Sequence, residues 1–497
     1  GLASPPRLHK AGAMRSPALP LALALALFAG GCERRPDDVP VVVSAIGAPT
    51  TLRDPARGPL TFPESVLLAA TAQGLVRFDA NGGIEPGVAE RWIVSDEGRS
   101  YIFRIRNAEW PDGSKVTAGD VVASLRAAIA PSARSPHAPF VAVIDEIVEM
   151  TPQVIEVRLK HPRPDLLKLF AQPEFAILRR PRLSGTGPLR ADPKGSGNLL
   201  RPVPDPYAVA ENAAAPEAAD NVRLIGERAA MALTRFAARE SDLILGGSFH
   251  DWPLLDHAGI APANLRVDPA VGLFGLAIVS EEGFTADPAN RAALAMAIDR
   301  AALTARFRPE WTPVETLLPA QLDSAAPPAI PAWVAQSLDA RRILARNRVV
   351  TWRAANPDAS PVIRIAMPRS IGTKLVWYSL VRDLRAIGLQ PAWVAEREDA
   401  DLRLIDAVAP YDSARWYFVT ACRRCPDDLA AVIDAARDAP TLADRARRIA
   451  EADLALTAAQ RYIPIAQPLR WSVAALRLRA FQTNPRAWHS LTHLRAP

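Results

Sequence analysis

The chain has 497 residues, of which 49 % are hydrophobic and 23 % charged, and its formal net charge is +6. This composition is ordinary for a globular protein, and the length suffices for two or three domains around a large core. Basic residues are scattered and are not interleaved with aromatic residues, which argues against a nucleic-acid-binding surface.

An apolar run near the N-terminus, residues 21–32, ends in small residues and then Cys32. About a dozen apolar residues are too few to span a bilayer, but they suit the hydrophobic part of a secretory signal that begins with Arg15. The end of the run resembles a bacterial lipobox, in which the cysteine is acylated. We therefore expect a signal peptide with an upstream extension at 1–31, a lipidated Cys32 and a polar tether at 32–37. A plain cleaved signal and an uncleaved anchor are the alternatives.

The first half of the remaining chain predicts a mixed α+β structure. Residues 40–46 read as a buried strand, and the alternation over 100–106 predicts a half-buried strand with Tyr101, Phe103 and Ile105 on one face. A helix is predicted from an N-cap at Thr117 to about residue 129. Antiparallel signals dominate residues 75–160.

The second half predicts α/β structure. A long helix is expected over 287–307, and residues 363–405 read as strand, helix, strand, strand. This order is typical of a βαβ unit in a largely parallel sheet. A long chain with two such halves suggests two lobes around a cleft.

Six linked motifs in the first half go beyond these general patterns. Their order and spacing resemble the extracytoplasmic solute-binding proteins of family 5, the peptide/nickel class that serves ABC importers. Weaker matches follow at 185–190, 205–207, 240–244, 290–300 and 462–465. The six motifs occupy residues 72–79, 84–92, 94–98, 101–106, 110–113 and 116–122.

The resemblance implies a two-lobed, mixed α+β and α/β fold of the periplasmic-binding-protein type II kind, with three domains around a hinged ligand cleft. Domain I would comprise residues 38–77, 181–271 and 475–497, domain II residues 78–180, and domain III residues 272–474. The first crossing between the lobes is expected as one hinge strand near 268–274.

The same resemblance implies a receptor and not an enzyme. It would be a monomer without a cofactor, held in the periplasm by its lipid. It would capture a small, peptide-like solute and deliver it to ABC permease subunits. The rival hypotheses are a surface hydrolase and a relative that serves as a chaperone or sensor.

The residues themselves give little support to catalysis or metal binding. The chain has no Gly-x-Ser-x-Gly elbow and no His-x-x-His or His-Glu-x-x-His motif; His489 and His493 are four apart, but in a predicted strand or tail. Cys422 and Cys425 follow a strand-like apolar run at 416–419. An even pair in an oxidising compartment favours a disulfide, with free thiols or a redox or metal role as alternatives.

Candidate ligand-binding residues follow from the resemblance, by position. One loop follows the strand at 242–245, Gly272 lies in the hinge strand, and a second loop spans 410–416. For Trp252, Trp416 and Arg415, packing or surface roles are the favoured interpretation. The candidates are Gly247, Ser248, Phe249, Trp252, Gly272, Tyr411, Asp412, Arg415 and Trp416.

The chain departs from the family at one position. Peptide binders of this class carry an Ala-Asp-Tyr run whose aspartate pairs with the α-ammonium of the peptide, whereas this chain has Ala409-Pro410-Tyr411. Either Asp412 takes over, or the ligand is not a linear peptide with a free N-terminus. The second alternative is favoured, because Pro410 also removes a backbone donor and restricts the loop.

Overall fold

A computed structural model describes residues 1, 3, 35–192, 198–204, 216–320, 322–492 and 494–495. Chain contacts separate a short unit, Gly1–Val39, from one compact unit, Pro40–Pro497, and the following concerns the second unit. Cys32, nearly all of the predicted signal peptide, the 205–207 motif and His493 lie outside the described residues. Within the described part, no helix combines the length and apolar character that crossing a membrane requires.

The strands of the described residues belong to five sheets. In chain order they are β1 (Val41–Ile46), β2 (Val76–Phe78), β3 (Ile84–Pro86), β4 (Ala89–Ser95), β5 (Ser100–Ile105), β6 (Ile144–Thr151), β7 (Val154–Leu159), β8 (Leu178–Arg179), β9 (Ser184–Gly185), β10 (Leu189–Ala191), β11 (Asn198–Pro202), β12 (Val222–Glu227), β13 (Leu243–Ser248), β14 (Leu265–Asp268), β15 (Gly272–Ile278), β16 (Val362–Ala366), β17 (Gln390–Val394), β18 (Leu402–Val408), β19 (Tyr462–Ala466) and β20 (Arg470–Ala474).

The α-helices of the same residues connect and cover these sheets. In chain order they are α1 (Phe62–Thr71), α2 (Ala118–Ile129), α3 (Ala138–Val141), α4 (Ala229–Ala237), α5 (Trp252–Leu255), α6 (Pro288–Ala297), α7 (Arg300–Ala305), α8 (Leu338–Ala355), α9 (Ile371–Ala386), α10 (Ala414–Ala421), α11 (Asp427–Arg437) and α12 (Leu442–Ala458).

A seven-stranded sheet gathers strands from both ends of the unit, in the order β10-β11-β12-β1-β13-β20-β14. The predicted first strand is confirmed as β1, which pairs in parallel with β12 and β13. Its consecutive valines are buried because helices and loops cover both faces of this part of the sheet. Leu478, Leu491 and Leu494 from the C-terminal segment complete this core.

A four-stranded antiparallel sheet, β4-β5-β7-β6, occupies the region predicted to be antiparallel. The predicted facing of β5 is confirmed, since Tyr101, Phe103 and Ile105 are all buried. Helix α2 packs on this sheet and begins as predicted: Thr117 and Asp120 form a capping box that satisfies free backbone N–H groups of the first turn.

A five-stranded sheet, β17-β16-β18-β15-β19, forms the second half. The predicted βαβ unit is confirmed, with β16 parallel to β17 and β18. The sheet is nevertheless mixed, because β15 runs antiparallel to both β18 and β19. The long helix expected over 287–307 was wrong: Ile298 leaves the helical conformation, and Asp299 caps the new helix α7 through the N–H of Ala302.

The chain passes twice between the seven- and five-stranded sheets. The first passage is residues 269–271, between β14 and β15, and the second is 467–469, between β19 and β20. The single hinge strand expected near 268–274 is therefore two strands of different sheets. The N–H of Gly272 donates to Oε1 of Gln467 at 2.9 Å, which ties the two passages together. The boundaries of the three domains stay a prediction.

Asp453 on α12 gives the fold a specific pH dependence. This side chain is buried, accepts a hydrogen bond from the N–H of Ala329 and leaves its other carboxylate oxygen without a partner among the described residues. Burial raises its pKa from 3.8 to about 6. The folded chain therefore holds a proton over a pH range in which the unfolded chain has released it.

We expect the free energy of unfolding of the wild type to fall, relative to Asp453→Asn, as pH rises from about 4 to about 7. The contribution of Asp453 to the free energy of unfolding is complete below its pKa in the unfolded chain. It is lost as pH rises through its pKa in the folded chain, and the total loss is about 3 kcal/mol. Denaturant unfolding of both proteins across this range measures the difference. If the free energies of unfolding of the two proteins depend on pH in the same way, the raised pKa assigned to Asp453 is wrong.

Candidate functional site

The candidate site is a cavity of about 490 Å³ whose walls come from three parts of the fold. One wall belongs to the segments around α3 and residues 172–174, beside the four-stranded sheet. The opposite wall is the end of β18 and one face of α10. Residues from the C-terminal segment, Arg486 and Trp488, close one side together with Phe78.

One face of helix α10 lines the cavity. The face is mainly apolar, and the cationic Arg423 follows it in the next loop. Trp416, Val419, Thr420 and Arg423 all line the cavity, at the spacing of one helical face continued into the following loop. Trp416 is 6 % exposed and packs edge-on against Tyr417. The strand expected for the apolar run at 416–419 was wrong, because these side chains pack as a helix against the five-stranded sheet.

The two walls touch each other directly beside the cavity. Asp165 and Arg445 form a buried ion pair at 3.5 Å across the two sides, and Arg163 donates to the carbonyl of Arg437. Burial lowers the pKa of Arg163 to about 10 and raises that of Asp165, although Arg445 opposes the second shift. The two walls are thus joined beside the cavity by contacts that remove charged groups from water.

Tyr411 joins the same contact region. It is 3 % exposed and packs edge-on against Phe140 of the facing wall, with ring centroids 5.8 Å apart. The adjacent carbonyl of Pro410 accepts a hydrogen bond from the side chain of Gln172 at 2.7 Å. Tyr411 therefore holds the two walls together and is buried in their contact.

The carboxylate of Asp412 is neutralised by two cationic side chains. It pairs with Lys168 and with Arg486, which also donates to the carbonyl of Ala409. Burial by itself raises the pKa of Asp412, but Lys168 and Arg486 more than compensate and hold it below its usual value. Residues 409–413 form a loop between β18 and α10, so the strand alternation considered for Asp412 does not apply.

Glu174 and His137 form a pair on the facing wall that the sequence did not single out as a ligand site. Both line the cavity, and their side chains lie 3.3 Å apart, 12 % and 10 % exposed. Burial opposes ionisation of Glu174, yet the hydrogen bond from His137 lowers its pKa below the usual range. No sequence signal marks the pair, because its two members come from separate turns.

Arg423 is a cavity cation without a protein partner: no hydrogen bond or ion pair joins it to another described residue. Burial and the nearby Arg403 lower the pKa of Arg423 from its ordinary value. It lies between Cys422 and Cys425, which the structure joins as a disulfide. Arg415, by contrast, contacts Asp434 at 3.4 Å.

Of the ligand-binding candidates from the sequence, Trp416 alone lines this cavity; Tyr411, Asp412 and Arg415 lie beside it, and two others are core residues. Phe249 is fully buried against Phe274, and Trp252 is buried with its indole N–H donating to the carbonyl of Phe307 at 2.7 Å. Both contacts are those of core residues. The structure therefore places Phe249 and Trp252 in the packing beneath the five-stranded sheet.

The remaining glycine and serine candidates lie in strands: Gly247 and Ser248 end β13, and Gly272 begins β15. A Cβ on Gly247 would fall 2.2 Å from the ring of Trp471, whose indole N–H donates to the carbonyl of Ser248. A Cβ on Gly272 would fall 2.1 Å from the carbonyl oxygen of Ala407. Both glycines permit close packing, and no ligand contact is needed to explain them.

The described residues contain no group of three His, Cys, Asp or Glu side chains that could hold a metal ion.

Comparison with known proteins gives a family match over 83–348, to the bacterial extracellular solute-binding proteins, family 5, middle region. The periplasmic murein peptide-binding protein MppA of Escherichia coli K12 is 26 % identical over 300 residues, 52 % of this chain and 53 % of MppA. The periplasmic oligopeptide-binding protein OppA of the same organism is 31 % identical over 156 residues, 28 % of each chain. The chain thus spans about half the length, or less, of these curated relatives.

Solved structures show the same fold over nearly the whole chain. Haemophilus influenzae OppA, in complex with RPPGFSPFR, superposes with a TM-score of 0.74 at 15 % identity, covering 91 % of this chain and 98 % of OppA. The murein tripeptide-binding protein MppA of Escherichia coli gives 0.74 at 19 % identity, covering 91 % and 97 %. The expected periplasmic-binding-protein architecture is confirmed.

We expect Asp412→Asn to lower the free energy of unfolding by about 1–2 kcal/mol, because the largely buried Arg486 loses its counter-charge. Lys168 is more exposed, so Lys168→Ala should cost less than about 1 kcal/mol. Denaturant unfolding of the three proteins measures both values. If the two variants lose the same free energy of unfolding, or if Asp412→Asn leaves it unchanged, Arg486 does not need Asp412 as its counter-charge.

Proposed function

Because this chain belongs to the bacterial extracellular solute-binding proteins of family 5, we propose that it is the substrate-binding component of an ABC importer. It captures a small, peptide-like solute in the cavity and delivers it to a membrane permease. The observation that carries this proposal is a cavity between a wall beside the four-stranded sheet and a wall formed by the five-stranded sheet and α10, in a chain that passes only twice between its seven- and five-stranded sheets along the described residues.

That arrangement suits binding by closure. A solute that touches both walls stabilises the closed arrangement, and rotation about the two passages then opens or closes access. The ion pair of Asp165 with Arg445 forms only when the walls meet. A closed receptor therefore presents a surface to the permease that an open one lacks.

The residues that line the cavity indicate which chemical groups of a solute it prefers. Arg423 forms no ion pair with a described residue and is suited to an anionic group of the solute, such as a carboxylate. The Trp416 face accommodates apolar side chains, and the ends of β18 supply backbone groups. A short peptide satisfies all three features.

We also propose that the receptor is a periplasmic lipoprotein. The lipobox-like sequence before Cys32 supports acylation of that thiol. A lipid anchor would keep the receptor close to the permease and raise its effective concentration there.

Filling the cavity should abolish binding. Thr420 lies on the cavity face of α10, and Thr420→Trp places an indole in the solute volume. A pool of dipeptides to tetrapeptides should stabilise the wild type, by about 2.7 kcal/mol for a member at 100 times its Kd, and should leave this variant unshifted. Thermal unfolding with and without the pool gives the readout.

The matched control is Thr351→Trp, the same change on the exposed face of α8. It should retain the full shift. A Thr420→Trp protein that is stabilised as strongly as the wild type would place the binding site elsewhere.

Replacing Cys32 should prevent lipidation. Cys32→Ala removes the thiol that follows the small residues, so an unacylated precursor is expected in envelope fractions of cells that express it. The double variant Cys422→Ala, Cys425→Ala is the control and should be acylated normally. A Cys32→Ala product that is processed and membrane-bound like the wild type would refute the assignment.

A further inference from the structure

Glu174 is a largely buried carboxylate, 12 % exposed, on the cavity wall that faces β18 and α10. It lies in the short turn Pro173–Phe175 and lines the cavity beside His137. Its one hydrogen bond to another described residue is the 3.3 Å contact with the His137 ring. No described lysine or arginine forms an ion pair with it.

Some fully buried acids of this fold are instead paired with arginine. Asp242 is paired with two nitrogens of Arg477, and Asp383 is paired with Arg342; both carboxylates are 0 % exposed, against 12 % for Glu174. Burying a carboxylate without a full counter-charge is costly, and a cation supplied from outside removes the cost. The carboxylate of Glu174 is therefore available to a positively charged group in the cavity.

The part of the cavity lining around Pro410 repels such a group. Pro410 stands where the family's peptide binders carry an aspartate, and Asp412 is already neutralised by Lys168 and Arg486. Arg486 itself lines the cavity. An ammonium placed near Pro410 would meet a guanidinium and no available carboxylate.

We propose that Glu174 binds the cationic nitrogen of the captured solute, and that the solutes of this receptor are therefore amines. The assignment rests on the proposed function and specifies its ligand. For a peptide, the α-ammonium lies against Glu174 and His137. The solute is thus held by a carboxylate on the wall opposite the one used by its relatives.

The test compares two peptide pools on the mature chain. Both contain dipeptides to tetrapeptides without lysine, arginine or histidine, so that the α-amine is the only cation; one pool is N-acetylated. Native mass spectrometry identifies retained members, and calorimetry gives their Kd. We expect the wild type to bind free-amine members at least tenfold more tightly than their acetylated forms.

The variants isolate the carboxylate. Glu174→Gln keeps the shape and should weaken free-amine binding tenfold or more while leaving acetylated peptides unchanged. Glu149→Gln, the same loss of charge on the exposed strand β6, should behave as the wild type. Glu174→Asp keeps the charge and should retain the preference for the free amine, which provides the test if the glutamine variant does not fold.

The outcomes separate the two claims. Binding of acetylated peptides alone, or unchanged free-amine binding by Glu174→Gln, overturns the assignment of Glu174 and leaves the proposed function standing. Binding of neither pool by the wild type overturns both.

Discussion

The architecture depends on a constraint of connectivity: along the described residues the chain passes between the seven- and five-stranded sheets only twice, each time through a short segment. The passages at 269–271 and 467–469 lie side by side, and the Gly272 N–H bonded to Gln467 holds them in register. Two adjacent connections allow rotation about the line between them and resist other displacements.

Closure has an electrostatic cost that the structure offsets locally. Asp165 and Arg445 leave water when the walls meet, and Asp412 is neutralised by Arg486 and Lys168. Such pairs add little net stability but make unmatched arrangements unfavourable, so they set the geometry of the closed form. Glu174 and Arg423, which form no ion pair with a described lysine, arginine or carboxylate, line the cavity, where a charged group of the solute can pair with them.

Much of the fold could be predicted from local pattern. The run of valines in β1, the alternation in β5 and the Thr117 cap each express a short-range rule, and each was confirmed. The break at Ile298 was missed because tertiary contacts override helical periodicity there. Glu174 was missed because its partner His137 is 37 residues away, and no spacing rule links two turns that meet only after folding.

Amide hydrogen exchange of the mature protein, with and without the peptide it binds most tightly, tests the central claim most directly. If one solute bridges both walls, exchange should slow together in the segments 134–142, 170–176 and 411–423, which carry the facing surfaces. Protection confined to one wall, or confined to the loop that follows β13, would contradict the account.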